Sequence, residues 1–169
     1  MVRISYKMDF LVREAVEQDY EGISEIFTEV NVMHSEALPS IFVEPEEHEE
    51  PARDRKFISD DIANENAALF VAEKDGQIIG IIHVSIRESP DIPIMVKRRY
   101  GYVDTIAIAN EFRNSGVGKA LMREAERWAI QKNVSQLELN VWDFNQNASA
   151  FFQKLGYTAA RHIMWKSIH

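Results

Sequence analysis

The 169-residue chain contains no cysteine, which removes disulfides, thiolate metal sites and a cysteine nucleophile from consideration. Long apolar runs are missing too: no stretch approaches the ~18 residues of a membrane-spanning helix, and the N-terminus lacks a secretory apolar core. The default expectation is a cytoplasmic protein. Basic blocks are also absent, and 19 Lys and Arg against 27 Asp and Glu give a net charge of −8. Such a chain repels polyanions on average, so neither nucleic acid nor an anionic membrane is an expected partner. The five histidines form no cluster with acidic residues at ligand spacing, and no metal site is expected. No Ser sits in a G-x-S-x-G elbow, so nothing supports an acyl-enzyme route.

What is present is ordinary globular material. Hydrophobic residues make up 46% of the chain, enough for one core in a single domain spanning residues 1–169, with 1–7 as a short extension ahead of a second start at Met8. Periodicity gives a strand at 10–13 and then a helix that Asp19 can cap, carrying Ile23, Ile26, Phe27 and Val30 on one face and fading near Ala37. Residues 44–55 read as a charged loop bounded by prolines, followed by a short helix through Ile62. Strands at 67–73 and 77–87 form a hairpin around Lys74-Asp75-Gly76, because Asp-Gly favours a tight turn. Further elements are a loop at 89–93, a strand at 99–108, a helix from Val117, an alternating strand at Leu137, Leu139 and Val141, a helix at 148–155 and a last strand at 162–168. The order is β-α-α-β-β-β-α-β-α-β, an α/β chain with a mixed sheet.

Glycine is scarce, seven in all, yet two fall in the run Arg113-Asn114-Ser115-Gly116-Val117-Gly118-Lys119. This run follows an apolar strand and opens an amphipathic helix. The first turn of a helix leaves N–H groups unpaired beside the positive end of the macrodipole, a ready site for phosphate oxygens. Gly116 and Gly118 let the backbone approach an anion closely, while Arg113, Lys119 and Arg123 add positive charge. The run is therefore a candidate phosphate cradle. It is not a Walker loop, since Lys119 precedes Ala120 rather than Ser or Thr, nor a dinucleotide fingerprint, since Leu121 stands where a third glycine is required.

Arg113, Gly116, Gly118 and Ala120 match the acyl-CoA pyrophosphate loop of the GNAT (GCN5-related N-acetyltransferase) superfamily, [RQ]-x-x-G-x-[GA]-x-[AL]. Downstream, Asn145, Ala148, Phe151, Phe152, Lys154, Gly156 and Tyr157 resemble that family's N-x-x-A-x-x-[FL]-Y-x-[KR]-x-G-[FY]. The resemblance implies a GNAT-like fold, a central mixed sheet flanked by helices, and transfer of acetyl from acetyl-CoA directly to a primary amine of a small molecule or peptide. It implies that residues 113–119 (Arg113, Asn114, Ser115, Gly116, Val117, Gly118 and Lys119) bind the cosubstrate's pyrophosphate. Backbone groups of Ile106 and Ile108 would hold its arm and polarise the thioester, with Asn145 and Phe152 also at that arm; Asn145 reads equally well as a helix N-cap.

The catalytic candidates are Asp104, His34 and Tyr157. Asp104 is a carboxylate within an apolar strand, nine residues before Arg113, and can bind or deprotonate an ammonium; the alternative is a salt bridge to a neighbour. His34 shares the apolar face of the first helix, where a core role is the alternative. Phe152 stands where the family commonly carries a tyrosine acid, so Tyr157, Tyr102 or Tyr100 would have to substitute. His83 reads as structural, and His48 belongs to the acidic loop. Glu44, Glu46, Glu47, Glu49 and Glu50 of that loop attract a cationic substrate or simply solvate it. The resemblance also allows a homodimer, and a non-catalytic acyl-CoA-binding sensor on the same fold is the rival reading.

Overall fold

The computed structural model describes residues 9–44 and 54–168. His48, Met8 and most of the 44–55 loop lie outside the described residues. The chain divides into two compact units, Met1–Leu139 and Asn140–His169.

The first unit is built on a five-stranded sheet in the order β1 (Leu11–Glu14), β2 (Ala67–Lys74), β3 (Gln77–Glu88), β4 (Arg99–Ile108) and β5 (Leu137–Leu139). The first three pairings are antiparallel, and β4 with β5 is parallel. The β2–β3 hairpin turns through Asp75 and Gly76, both at positive φ (50° and 82°), the geometry the Asp-Gly pair favours. The helices α1 (Tyr20–Ala37) and α2 (Arg55–Ala63) fall within a residue or two of expectation, and α3 (Val117–Gln131) starts at Val117 as expected.

Alternation along the strands divides the core. Leu69, Val71, Ile81 and Ala107 pack with Ile23, Ile26 and Phe27 of α1 and Ile58 of α2. On α3 the buried residues Val117, Leu121, Met122, Ala125, Trp128 and Ala129 form the apolar stripe of an amphipathic helix seated on a sheet. The fit at its start is close: a Cβ at Gly80 of β3 would lie 2.9 Å from Val117 Cγ1 and 3.1 Å from Leu121 Cδ1. Glycine there lets the first turn of α3 settle against the sheet, which fixes the position of the loop before it.

Asp19 stands at the N-cap of α1, but its carboxylate does not cap that helix. It accepts from Val16 N (2.9 Å) and from Arg13 Nη1 and Nη2 (2.6 and 2.8 Å), while Arg13 Nε reaches Glu73 Oε2 at 2.8 Å. The hydrogen bonds from Arg13 hold the Asp19 carboxyl below the usual carboxylate range against an opposing desolvation penalty. Because the folded value lies below the unfolded one of about 3.9, this stabilisation is complete above about pH 5 and is lost as pH falls through the folded value. Asp19→Asn should therefore cost about 1–3 kcal/mol at pH 7, with a deficit that narrows below about pH 4; urea unfolding of both proteins from pH 3 to 7 measures it.

In the second unit, α4 (Gln146–Lys154) is capped by Asn145, whose Oδ1 accepts from Ala148 N at 3.1 Å. Phe152 is buried and meets Phe151 (5.1 Å, 63°) and Tyr157 (5.7 Å, 66°) edge-on. The expected last strand at 162–168 is not formed. Its apolar residues Ile163, Met164, Trp165 and Ile168 are exposed, and no ladder pairs with them among the described residues; a strand without a partner leaves its backbone groups unsatisfied.

Candidate functional site

Two features of β4 create the site. The first is an opening. Parallel pairing with β5 runs only from Gly101↔Leu137 to Val103↔Leu139, and β5 ends there while β4 continues to Ile108. Residues 104–108 thus have no strand partner on that side among the described residues, and the backbone of Ile106 and Ile108 lies along the open edge. The second is a bulge. The register passes from His83↔Thr105 to Val84↔Val103, so Asp104 is the extra residue that β3 does not match. Bulges of this kind re-aim a side chain out of the regular pleat.

The Asp104 side chain is mostly buried, 19% exposed. Its Oδ2 accepts from Ser85 Oγ at 2.6 Å, and its Oδ1 accepts from Arg87 Nη2. The Arg87 guanidinium lies over the Tyr102 ring, 3.6 Å from its centroid, so the ion pair is fixed in place on one side by an aromatic face. Sequence reasoning did not single out Ser85 and Arg87. Their signal was the alternation His83, Ser85, Arg87 between Ile82, Val84 and Ile86, which puts three polar groups on one face of a buried strand.

Beyond Ile108 the chain takes one 3-10 turn at Asn110–Phe112 and enters the glycine run. Glu29 of α1 accepts from Asn110 N at 3.1 Å, and Arg113 Nε donates to Ile108 O at 3.2 Å, tying the loop to helix and strand. The Nη groups of Arg113 have no partner among the described residues. Asn114 (φ 62°) and Gly116 (φ 92°) turn the backbone into α3, with the Ser115 hydroxyl donating to Phe112 O. Gly116 is the N-cap, and no side chain caps the helix. Nothing lies within 4 Å of a Cβ placed on Gly116. The N–H groups of Val117, Gly118 and Lys119 therefore begin a helix without intrahelical partners, next to the open space at Gly116. Lys119 and Arg123 are exposed beside it. The arrangement suits a pyrophosphate.

The remaining candidates are placed as follows. His34, in the last turn of α1, has Nδ1 2.9 Å from Val30 O and its ring 4.9 Å from Phe42; donation from Nδ1 leaves the lone pair of the neutral ring on Nε2. His83 is buried with Nε2 3.5 Å from Asp61 Oδ2, in keeping with a structural part. Asn145, Phe152 and Tyr157 belong to the second unit. Two concavities, of about 350 and 270 Å³, lie elsewhere, one beside Arg13, Asp19 and Glu73 and the other beside Tyr20, Arg55 and Ser59. Among the described residues no group of three His, Asp or Glu could hold a metal ion, and no helix is long and apolar enough to cross a membrane.

The chain is thus a mixed α/β fold in which β4 and β5 pair over three residues only and the helix after β4 starts at a glycine. Residues 25–157 match the family model for the acetyltransferase (GNAT) family, and the chain belongs to that family. An N-alpha-acetyltransferase of Sulfurisphaera tokodaii is 32% identical over 107 residues, 60% of this chain and 62% of its own length. This chain thus spans less than two thirds of that relative. The fold is shared with a mutant protein from Bacillus halodurans (TM-score 0.86, 24% identity, 94% of this chain and 99% of that one). It is also shared with an aminoglycoside N-acetyltransferase in complex with CoA (TM-score 0.70, 16% identity, 94% and 99%).

Proposed function

We propose that this protein transfers acetyl from acetyl-CoA directly to a primary amine of a small molecule. The observation that carries the proposal is the continuity of the open β4 edge, residues 104–108, with the uncapped start of α3. One strand presents a carboxylate, then an edge that β5 does not cover, then an anion cradle. The pyrophosphate sits on the N–H groups of residues 116–119, and the pantetheine arm runs back along Ile106 and Ile108. Along a strand rising about 3.3 Å per residue, Asp104 lies about 7 Å from Ile106, within reach of an amine attacking a thioester held there.

In the reaction the amine nitrogen forms a bond to the thioester carbonyl carbon as the C–S bond breaks. The ammonium gives one proton to Asp104 before attack, the sulfur leaves with the electron pair of the broken bond, and the second proton that the nitrogen sheds as the amide forms goes to the departing thiolate, giving amide and free CoA thiol. An alkyl thiol of pKa about 8.5 is a fair leaving group without full protonation, which suits a chain with Phe152 in place of a phenol. The family resemblance assigns Asn145 and Phe152 to the arm and leaves Tyr157, edge-on to Phe152, as the phenol nearest to that position in the chain. With both substrates bound together, orientation supplies much of the rate.

The test is release of free CoA thiol from acetyl-CoA over a panel of primary amines. Amine-dependent release is expected, with no acetylated protein formed when amine is withheld. Binding of acetyl-CoA without release for any amine would contradict the reading and leave a non-catalytic acyl-CoA sensor in its place.

A further inference from the structure

We infer that Arg87 selects the acceptor, and that the acceptor is an amine carrying a carboxylate beside it, the arrangement of a free α-amino acid. The inference rests on the acetyltransferase reading and names the substrate class of that same site.

The ion pair itself provides the argument. Asp104 and Arg87 stand side by side at the bulge, one mostly buried and the other half-exposed. Each carboxylate oxygen of Asp104 has accepted one bond, from Ser85 or from Arg87, and each keeps a second lone pair. Arg87 has engaged one nitrogen, Nη2, with its flat face against Tyr102; its Nε and Nη1 donors have no partner among the described residues. Stacking leaves the in-plane edge of the guanidinium as its recognition surface, and that edge matches a planar carboxylate in two parallel hydrogen bonds.

A bare cationic amine arriving at Asp104 would compete with Arg87 for one carboxylate and set two positive charges together. A ligand whose ammonium and carboxylate are two bonds apart avoids this. Its ammonium takes the remaining lone pairs of Asp104 while its carboxylate takes the edge of Arg87, closing a ring of alternating charges. The carboxylate also draws the reacting nitrogen to the group that removes its proton. Diamines and amino sugars lack that second charge.

The experiment compares leucine with leucinamide and 3-methylbutan-1-amine, which keep the amine and side chain but lose the negative charge. Free CoA release is read as kcat/KM in the parent protein, in Arg87→Gln and in Arg87→Lys. The parent should favour leucine at least about 10-fold over both neutral analogues, in line with a charge-assisted hydrogen bond. Arg87→Gln should bring the ratio near one, and Arg87→Lys should restore part of it. Because the readout is a ratio, a general loss of activity through Asp104 cancels. Equal use of the three acceptors by the parent, or an unchanged ratio in Arg87→Gln, would overturn the inference. Turnover of other primary amines with leucine inert would overturn it while leaving the acetyltransferase reading in place, whereas no turnover with any amine would remove both.

Discussion

Gly116→Asp should weaken CoA binding about 100-fold, about 2.7 kcal/mol, and leave the protein folded. Gly116 is at φ 92° with open space where its Cβ would be, so the new side chain enters the volume assigned to the pyrophosphate. A carboxylate about 4 Å from a phosphate charge costs up to about 4 kcal/mol at an effective dielectric constant of about 20. Asp tolerates left-handed backbone better than most residues, which confines the damage to the ligand site. Gly116→Asn separates the two causes, since it adds the same bulk without charge and should cost clearly less. Calorimetric titration of CoA into the three proteins gives the comparison, and an unchanged dissociation constant in Gly116→Asp would rule out the cradle.

Asp104→Asn should lower kcat/KM for amine acetylation by about 10²- to 10³-fold, the range of a lost general base. Acetyl-CoA affinity should stay as it was. The amide keeps the size of the carboxylate and one oxygen for Arg87, so the bulge retains most of its bonding. With leucine as acceptor, adding Arg87→Gln to Asp104→Asn should cost about a further 10-fold, because Arg87 binds the acceptor's carboxylate while Asp104 takes its proton. A kcat/KM within about threefold of the parent, against this expectation for a base, would reassign Asp104 to a structural ion pair.

The elements legible in the sequence were those with strong local signals. The stripe Val117, Leu121, Ala125, Trp128 specified α3, and Asp75-Gly76 specified the hairpin turn at positive φ. The glycine run was legible because strand, loop and helix are contiguous in the chain. Other features depend on pairing between distant residues. That β5 ends opposite Val103, leaving the β4 edge open, follows from inter-strand register. The bulge at Asp104 likewise arises between β3 and β4. Ser85 and Arg87 are 19 and 17 residues from Asp104, and only the sheet brings them together. Asp19 has the residue type and place of a helix cap, yet Arg13 and Val16 N hold its carboxylate instead. The strand expected at 162–168 had the right residue types but no partner to pair with among the described residues.

The measurement closest to the central claim is a paired titration of CoA and pantetheine, which share the thiol arm and differ in the phosphates. If the start of α3 holds the pyrophosphate, CoA should bind at least about 100-fold tighter than pantetheine. Most of that difference should vanish in Gly116→Asp while the affinity for pantetheine stays the same. Equal affinities for the two ligands in the parent protein would contradict it.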